Sequence, residues 1–156
     1  MSRHLVHADL VSQDVAGIMS SPVVAIAQWA RLGWALTALT RTGLRHLAVV
    51  DEANRCVGVV ADRTIAAAWA ADPTALQCVA VGAVLEPRPA VVAADASVAD
   101  VARVMDTDGV DAVAVIDREG RPLGLVTGGD LIALIAHHVP AAEEPDREPA
   151  RDEIGN

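Results

Sequence analysis

The sequence contains no lysine, phenylalanine or tyrosine, and only three tryptophans and two cysteines. A core must therefore be built from Val, Ala, Leu and Ile, within a hydrophobic fraction of 53%. No apolar run reaches the ~20 residues that a transmembrane helix requires. The N-terminus meets Asp9 and Asp14 before any long apolar run develops, unlike a secretory signal. These absences predict no membrane partner and a cytoplasmic protein.

All twelve basic residues are arginine, and the formal net charge is -9. This acidic balance argues against nucleic acid as a partner, because neutralising phosphates requires a basic face. Cys56 and Cys78 have neither the spacing of a redox motif nor the number of a disulfide framework, so we expect buried, reduced thiols. The length of 156 residues allows one compact domain or two small halves that share a core.

The chain is a tandem duplication. A shift of 66 positions, the separation of Gly58 and Gly124, aligns residues 15–69 with residues 81–135 without a gap. Identical pairs that cluster around one turn include Gly43 and Gly109, Ala48 and Ala114, Val49 and Val115, Asp51 and Asp117, Arg55 and Arg121, Gly58 and Gly124, Val60 and Val126. Neither half buries its strands alone, so the two halves should pack together.

Each repeat has the pattern of a β-α-β-β-α unit. A short strand, 23–26 or 90–92, precedes a helix whose apolar residues share one face. These residues are Leu32, Ala35, Leu36 and Leu39 in repeat 1, and Val98, Val101, Ala102 and Met105 in repeat 2. Gly43 and Gly109 should end those helices. Hairpins follow at 47–60 and 113–126, and second helices at 63–71 and 129–138. The fold class is α/β, in the sense of mixed α+β, with the repeats packed sheet to sheet about a pseudo-twofold axis.

The domain organisation follows from the duplication. An N-terminal segment covers residues 1–14, repeat 1 covers 15–71, a linker covers 72–80, and repeat 2 covers 81–138. Residues 139–156 are rich in proline and charge, which predicts a disordered acidic tail.

Three motifs in the repeats resemble those of the cystathionine-beta-synthase-type (CBS) repeat. They are the leading segment 15–19, the Leu-Ala-Val-Val-Asp and Gly-Val-Val runs at 47–51 and 58–60, and Gly-Leu-Val-Thr-Gly-Gly-Asp at 124–130. The resemblance implies a Bateman module, a regulatory pair that binds adenosine derivatives in the clefts between its repeats. The implied partners are AMP, ADP, ATP or S-adenosylmethionine, a second copy in a homodimer, and an effector protein. The resemblance implies neither an enzyme nor a cofactor, and a ligand-free dimerisation scaffold is the alternative.

The 124–130 motif can hold a nucleotide. By resemblance, the Asp130 carboxylate accepts hydrogen bonds from two ribose hydroxyls, and the amides of Gly128 and Gly129 meet a phosphate at a helix N-terminus. The other interpretation is a capping box, in which Thr127 and Asp130 only satisfy helix amides. Repeat 1 has Ala61 and Thr64 at the positions of Thr127 and Asp130, so we expect one site per chain.

Other site residues follow from the resemblance. Arg45 and His46 are the candidates for phosphate contact, and a solvated edge is the alternative. Repeat 2 has Asp111 and Ala112 at the matching positions, where a carboxylate would repel an anion. Adenine is expected near the backbone of Pro89, Ala90 and Val91 and of Asp111, Ala112 and Val113. In repeat 1, Asp62 is expected to cap the second helix.

Trp34 should point away from the core of its repeat, because it lies opposite the buried face of its helix. A large apolar group on an outer face suggests a dimer interface. The alternative is a single exposed Trp that the N-terminal segment covers. His4, His7, His137 and His138 have no third ligand at a fixed spacing, so no metal is expected. No catalytic residues are expected either, because no Ser-His-Asp set, paired carboxylates or activated cysteine emerges.

Overall fold

Two three-stranded sheets form the centre of the fold in the computed structural model, which describes residues 3–138. Each sheet has a parallel first pair and an antiparallel hairpin, in the order β1-β2-β3 or β4-β5-β6. The strands of repeat 1 are β1 (Ala25–Ala27), β2 (His46–Val50) and β3 (Cys56–Ala61). Those of repeat 2 are β4 (Val91–Ala93), β5 (Ala112–Ile116) and β6 (Pro122–Thr127). The two sheets match element for element, which confirms the predicted duplication and the mixed α+β fold.

The first strand of each repeat begins later than predicted. β1 lacks Val23 and Val24 because its register against β2 starts at Ala25, opposite Ala48. Apolar residues continue on both sides of that start, so the sequence pattern does not mark it.

The described residues form six α-helices, of which four correspond to predicted helices and two are additional. They are α1 (Arg3–Ser12), α2 (Leu32–Thr42), α3 (Asp62–Ala71), α4 (Ala75–Cys78), α5 (Val98–Asp108) and α6 (Gly128–His138). Helices α1 and α4 lie in the predicted N-terminal segment and linker, to which no structure was assigned. Gly43 and Gly109 end α2 and α5 in left-handed conformations, with φ of 70° and 64°, as predicted. Leu36 and Ala102 are exposed, so each buried face is narrower than predicted.

The leading segments of the two repeats are exchanged in space. Val15 is fully buried in the core of repeat 2, and its amide donates to the Ala96 carbonyl at 2.9 Å. Val81 is fully buried in the core of repeat 1, and its amide donates to the Ala30 carbonyl at 2.7 Å. The boundaries 15–71 and 81–138 therefore divide the sequence, whereas each packed unit also contains the leading segment of the other repeat.

The two sheets pack against each other through small residues. Ala48 of β2 and Ala114 of β5 are fully buried and share a cluster with Leu125 of β6. The amide of Cys56 also donates to the carbonyl of Gly120 in the opposite repeat at 2.8 Å. The small side chains permit a close approach of the sheets, which leaves clefts at the edges of the interface.

Two further predictions concern the cysteines and the C-terminal tail. Cys56 is partly buried and burial raises the pKa of its thiol, but Cys78 is exposed, so the prediction of two buried thiols was wrong for Cys78. Cys78 lies at the end of the short helix α4, which the sequence pattern did not indicate. The predicted tail at 139–156 lies outside the described residues. None of the helices within residues 3–138 has the length and apolar character to cross a membrane.

Candidate ligand-binding cleft

A cavity of about 440 Å³ lies between the two repeats. Its walls come from the segment before β1, the α2–β2 turn, and the junction of β6 with α6. The lining residues are Ser20, Pro22, Val23, Val24, Gly43, Leu44, Arg45, His46, Asp111, Leu125, Thr127, Gly128 and Gly129. Both repeats contribute walls, so a bound molecule would contact both at once.

The junction of β6 and α6 forms a capping box. The Thr127 amide donates to Asp130 Oδ2 at 2.8 Å, and the Asp130 amide donates to Thr127 Oγ1 at 3.3 Å. The amide of Gly128 donates to the Asp111 carbonyl at 2.9 Å. In the absence of a ligand, Thr127 and Asp130 therefore form the capping box that was the other interpretation of this motif. Asp130 Oδ1 accepts none of the hydrogen bonds recorded among the described residues.

A charged network joins the two repeats across the cleft. Arg63 of α3 donates from Nη1 to Asp111 Oδ2 at 2.6 Å and from Nη2 to Asp111 Oδ1 at 2.8 Å. His46 Nε2 lies 3.2 Å from the same Oδ1, and the His46 side chain is only 12% exposed. The bidentate hydrogen bond from Arg63 lowers the pKa of Asp111 most, and His46 lowers it further, whereas partial burial raises it. The net result is a pKa of about 2. Asp111 is therefore a carboxylate in the cavity wall throughout the neutral pH range.

Arg45 stands at the mouth of the cleft. Its side chain is 81% exposed, and its Nε donates to Asp62 Oδ2 at 3.3 Å. Asp62 is not the N-cap of α3, contrary to expectation. The helix begins at Asp62 itself, after the N-cap Ala61, and Asp62 Oδ1 accepts from the Arg63 amide at 2.7 Å. The helix thus starts one residue earlier than predicted, and the Asp62 amide at this start donates to the Arg45 carbonyl.

The structure brings half of the predicted site residues together. Arg45, His46, Asp111, Thr127, Gly128 and Gly129 line the cavity. Pro89, Ala90, Val91, Ala112, Val113 and Asp130 do not.

The carboxylate of Asp130 is turned back to the Thr127 amide in the capping box. Two physical reasons account for the other five residues. Ala112 and Val113 are buried inside β5. Across the pseudo-twofold axis, the β6–α6 junction faces the segment before β1, so Pro22, Val23 and Val24 take the place predicted for residues 89–91.

Sequence reasoning missed Arg63 because its partner Asp111 is 48 residues away. The available signal was local: Arg63 stands where repeat 2 has Gly129. A basic residue in the first turn of α3 is therefore one of the chemical differences between the two helix starts.

The fold and the cleft define a class of protein: a tandem pair of α+β repeats with a cavity between them. The family model of the CBS domain matches residues 13–71 and again residues 81–137, so the chain belongs to the CBS domain family.

Solved structures of the same fold include several CBS domain pairs. The CBS domain pair of protein MJ0100 in complex with 5-methylthioadenosine and S-adenosyl-L-methionine is 25% identical, with a TM-score of 0.70 over 79% of this chain and 99% of that chain. Hypoxic Response Protein I with two coordinated zinc ions is 25% identical, with a TM-score of 0.69 over 82% of this chain and 100% of that chain. Among residues 8–138, whose side chains the structure describes, no cluster of three His, Cys, Asp or Glu side chains forms a metal site.

A curated relative is homoserine O-acetyltransferase of Methanococcoides burtonii, which is 27% identical over 132 residues. The match covers 85% of this chain but only 26% of that protein. The chain therefore spans about a quarter of that relative's length, and the relative's activity is not carried over to it.

Proposed function

We propose that the chain is a regulatory module that senses an adenosine-containing ligand in the cleft between its two repeats. The observation that carries this proposal is the cavity of about 440 Å³ walled by both repeats. Its volume falls within the range of roughly 300 to 1,000 Å³ that is usual for small-molecule sites. The CBS domain pair of MJ0100, with 5-methylthioadenosine and S-adenosyl-L-methionine, supports the ligand class.

The lining suits a nucleoside. Val23, Val24 and Leu125 offer an apolar wall for the adenine ring, and the β6–α6 junction offers polar backbone for the sugar. Asp130 adjoins that junction with one carboxylate oxygen outside the capping box, and we assign it the two ribose hydroxyls. The bound ligand then contacts both repeats and holds them together. An effector protein that binds this arrangement of the repeats would detect the ligand.

The cleft favours a regulatory role over a catalytic one. Arg45, His46 and Asp111 are the titratable side chains that line the cavity within the described residues. Asp111 is held ionised by Arg63, so its low pKa makes it a poor proton acceptor at neutral pH.

Titration calorimetry with adenosine, 5-methylthioadenosine, S-adenosylmethionine, AMP, ADP and ATP tests the proposal. We expect saturable binding of at least one of these at one site per chain. The same ligand at a hundredfold excess over its Kd should stabilise the fold by about 2.7 kcal/mol, roughly 5 to 10 °C in Tm. No heat and no change in Tm with any of them at millimolar concentration would refute it.

A ligand-free dimerisation scaffold is the second candidate, and exposed apolar side chains favour it. Trp34, Trp69, Ile132 and Ile135 all lie at least half exposed on the outer faces of α2, α3 and α6. Exposed apolar side chains mark an interaction site where they form a contiguous patch. A stable homodimer that binds none of the adenosine ligands would favour the scaffold over the sensor.

A further inference from the structure

The cleft contains four groups that could bind a phosphate: the side chains of Arg45 and His46 and the amides of Gly128 and Gly129. The first three already have partners within the chain. Arg45 contacts the carboxylate of Asp62, and His46 contacts the carboxylate of Asp111. The amide of Gly128 donates to the Asp111 carbonyl. An incoming phosphate would therefore have to compete with these oxygen atoms for Arg45 Nε, His46 Nε2 and the Gly128 amide.

Asp111 adds a direct electrostatic penalty. Asp111 lines the cavity, and its backbone carbonyl accepts a hydrogen bond from the Gly128 amide. A substituent that leaves a ribose bound at the β6–α6 junction would therefore pass close to this residue. Two hydrogen bonds from Arg63 and one contact with His46 fix it there. Moving it aside would break a bidentate ion pair, and leaving it in place would set it against the phosphate. Placing two like charges together in a binding site is strongly unfavourable.

We propose that Asp111 is a specificity-determining residue, which makes the cleft select adenosine ligands whose 5′ substituent carries no phosphate over nucleoside phosphates. The inference rests on the proposed adenosine site and narrows its ligand class to uncharged or cationic substituents, such as a thioether or a sulfonium. The paired state of Arg63 supports the same selection, because its guanidinium is committed to Asp111 and is not free to meet an anion.

Calorimetry of 5-methylthioadenosine and AMP on three proteins tests the inference. The proteins are the wild type, Asp111→Asn, and Asp106→Asn, a control that removes the same charge from an exposed site on α5 outside the cavity. The wild type should bind 5-methylthioadenosine about tenfold more tightly than AMP, or better. Asp111→Asn should shrink this ratio about tenfold or more, because Arg63 and His46 become available to phosphate. Asp106→Asn should keep the wild-type ratio.

Wild-type affinity for AMP equal to or above that for 5-methylthioadenosine would overturn the inference, as would an unchanged ratio in Asp111→Asn. The comparison of the two ligands on the wild type tests the inference even if a variant fails to fold. If circular dichroism shows that Asp111→Asn is unfolded, Asp111→Ala replaces it. Absence of binding by both ligands overturns the inference, and if adenosine, S-adenosylmethionine, ADP and ATP also fail to bind, the proposed function itself is refuted. Tighter binding of AMP than of 5-methylthioadenosine refutes only the proposed role of Asp111 in ligand selection.

Discussion

Replacing Asp130 by alanine separates the two roles of the β6–α6 junction, because the chain contains a second capping box of the same kind. In that box, the Ser97 amide donates to Asp100 Oδ2 at 2.9 Å, and the Asp100 amide donates to Ser97 Oγ at 3.2 Å. The corresponding distances at Thr127 and Asp130 are 2.8 and 3.3 Å. Asp100 lies at the start of α5 and does not line the cavity. Asp100→Ala is therefore a control for the loss of a cap. It also removes the ion pair of Asp100 with Arg103, an exposed contact that contributes little to stability.

The structure sets the expected size of each effect. Each alanine variant loses one capping carboxylate, which should cost about 1 kcal/mol of stability, or roughly 3 °C in Tm. If Asp130 also accepts the ribose hydroxyls, Asp130→Ala should lose roughly 2 to 4 kcal/mol of ligand binding, about thirtyfold to a thousandfold in affinity. Asp100→Ala should bind the ligand as the wild type does.

Thermal unfolding measures the first effect, and titration calorimetry with 5-methylthioadenosine measures the second. Thr64→Ala is a further control, because Thr64 stands at the position of Asp130 in repeat 1 and should matter little for binding. Equal ligand affinity in wild type and Asp130→Ala would show that Asp130 is only a helix cap and that the ribose lies elsewhere.

Three further predictions concern packing, pH and assembly. Gly124→Ala should cost roughly 1 to 3 kcal/mol, because the new Cβ would lie 2.7 Å from the backbone oxygen of Ser20. Gly58→Ala meets only the flexible tip of a leucine at 3.2 Å and should cost less, so equal losses in urea unfolding would contradict the packing described for Ser20. Asp111 has a pKa lowered from 3.8 to about 2, so its stabilisation is complete above pH 4 and lost as the pH falls toward 2. Solvent screening of this half-exposed pair limits the effect to about 1 kcal/mol, and acid unfolding of Asp111→Asn should show a smaller decline than the wild type. Trp34, 70% exposed on α2, should lie in a homodimer interface. Light scattering should show a dimer that Trp34→Glu weakens, and a monomeric wild type at micromolar concentration would refute this.

The sequence was sufficient to predict the repeat, the element order and the turns, because these depend on local chemistry. Gly43 and Gly109 mark helix ends since a left-handed residue is needed there. The same reasoning could not predict that Val15 packs in repeat 2, because periodicity shows which residues are buried and not what covers them. Predicted residues 89–91 failed to reach the cavity for the same reason.

The candidate site shows a similar limit. The motif at Thr127 and Asp130 could be recognised because its residues are close in sequence. The contact of Arg63 and His46 with Asp111 could not, since it forms only when the two sheets pack together. Asp111 was expected to repel an anion, and the structure adds the two partners that hold it in the cavity wall.

A structure of the chain crystallised with 5-methylthioadenosine tests the central claim most directly. The account predicts one ligand per chain in the cavity between the repeats, with its adenine against Val23 and Val24 and its ribose beside the β6–α6 junction. A ligand bound elsewhere, two ligands per chain, or an empty cavity at a saturating ligand concentration would contradict it.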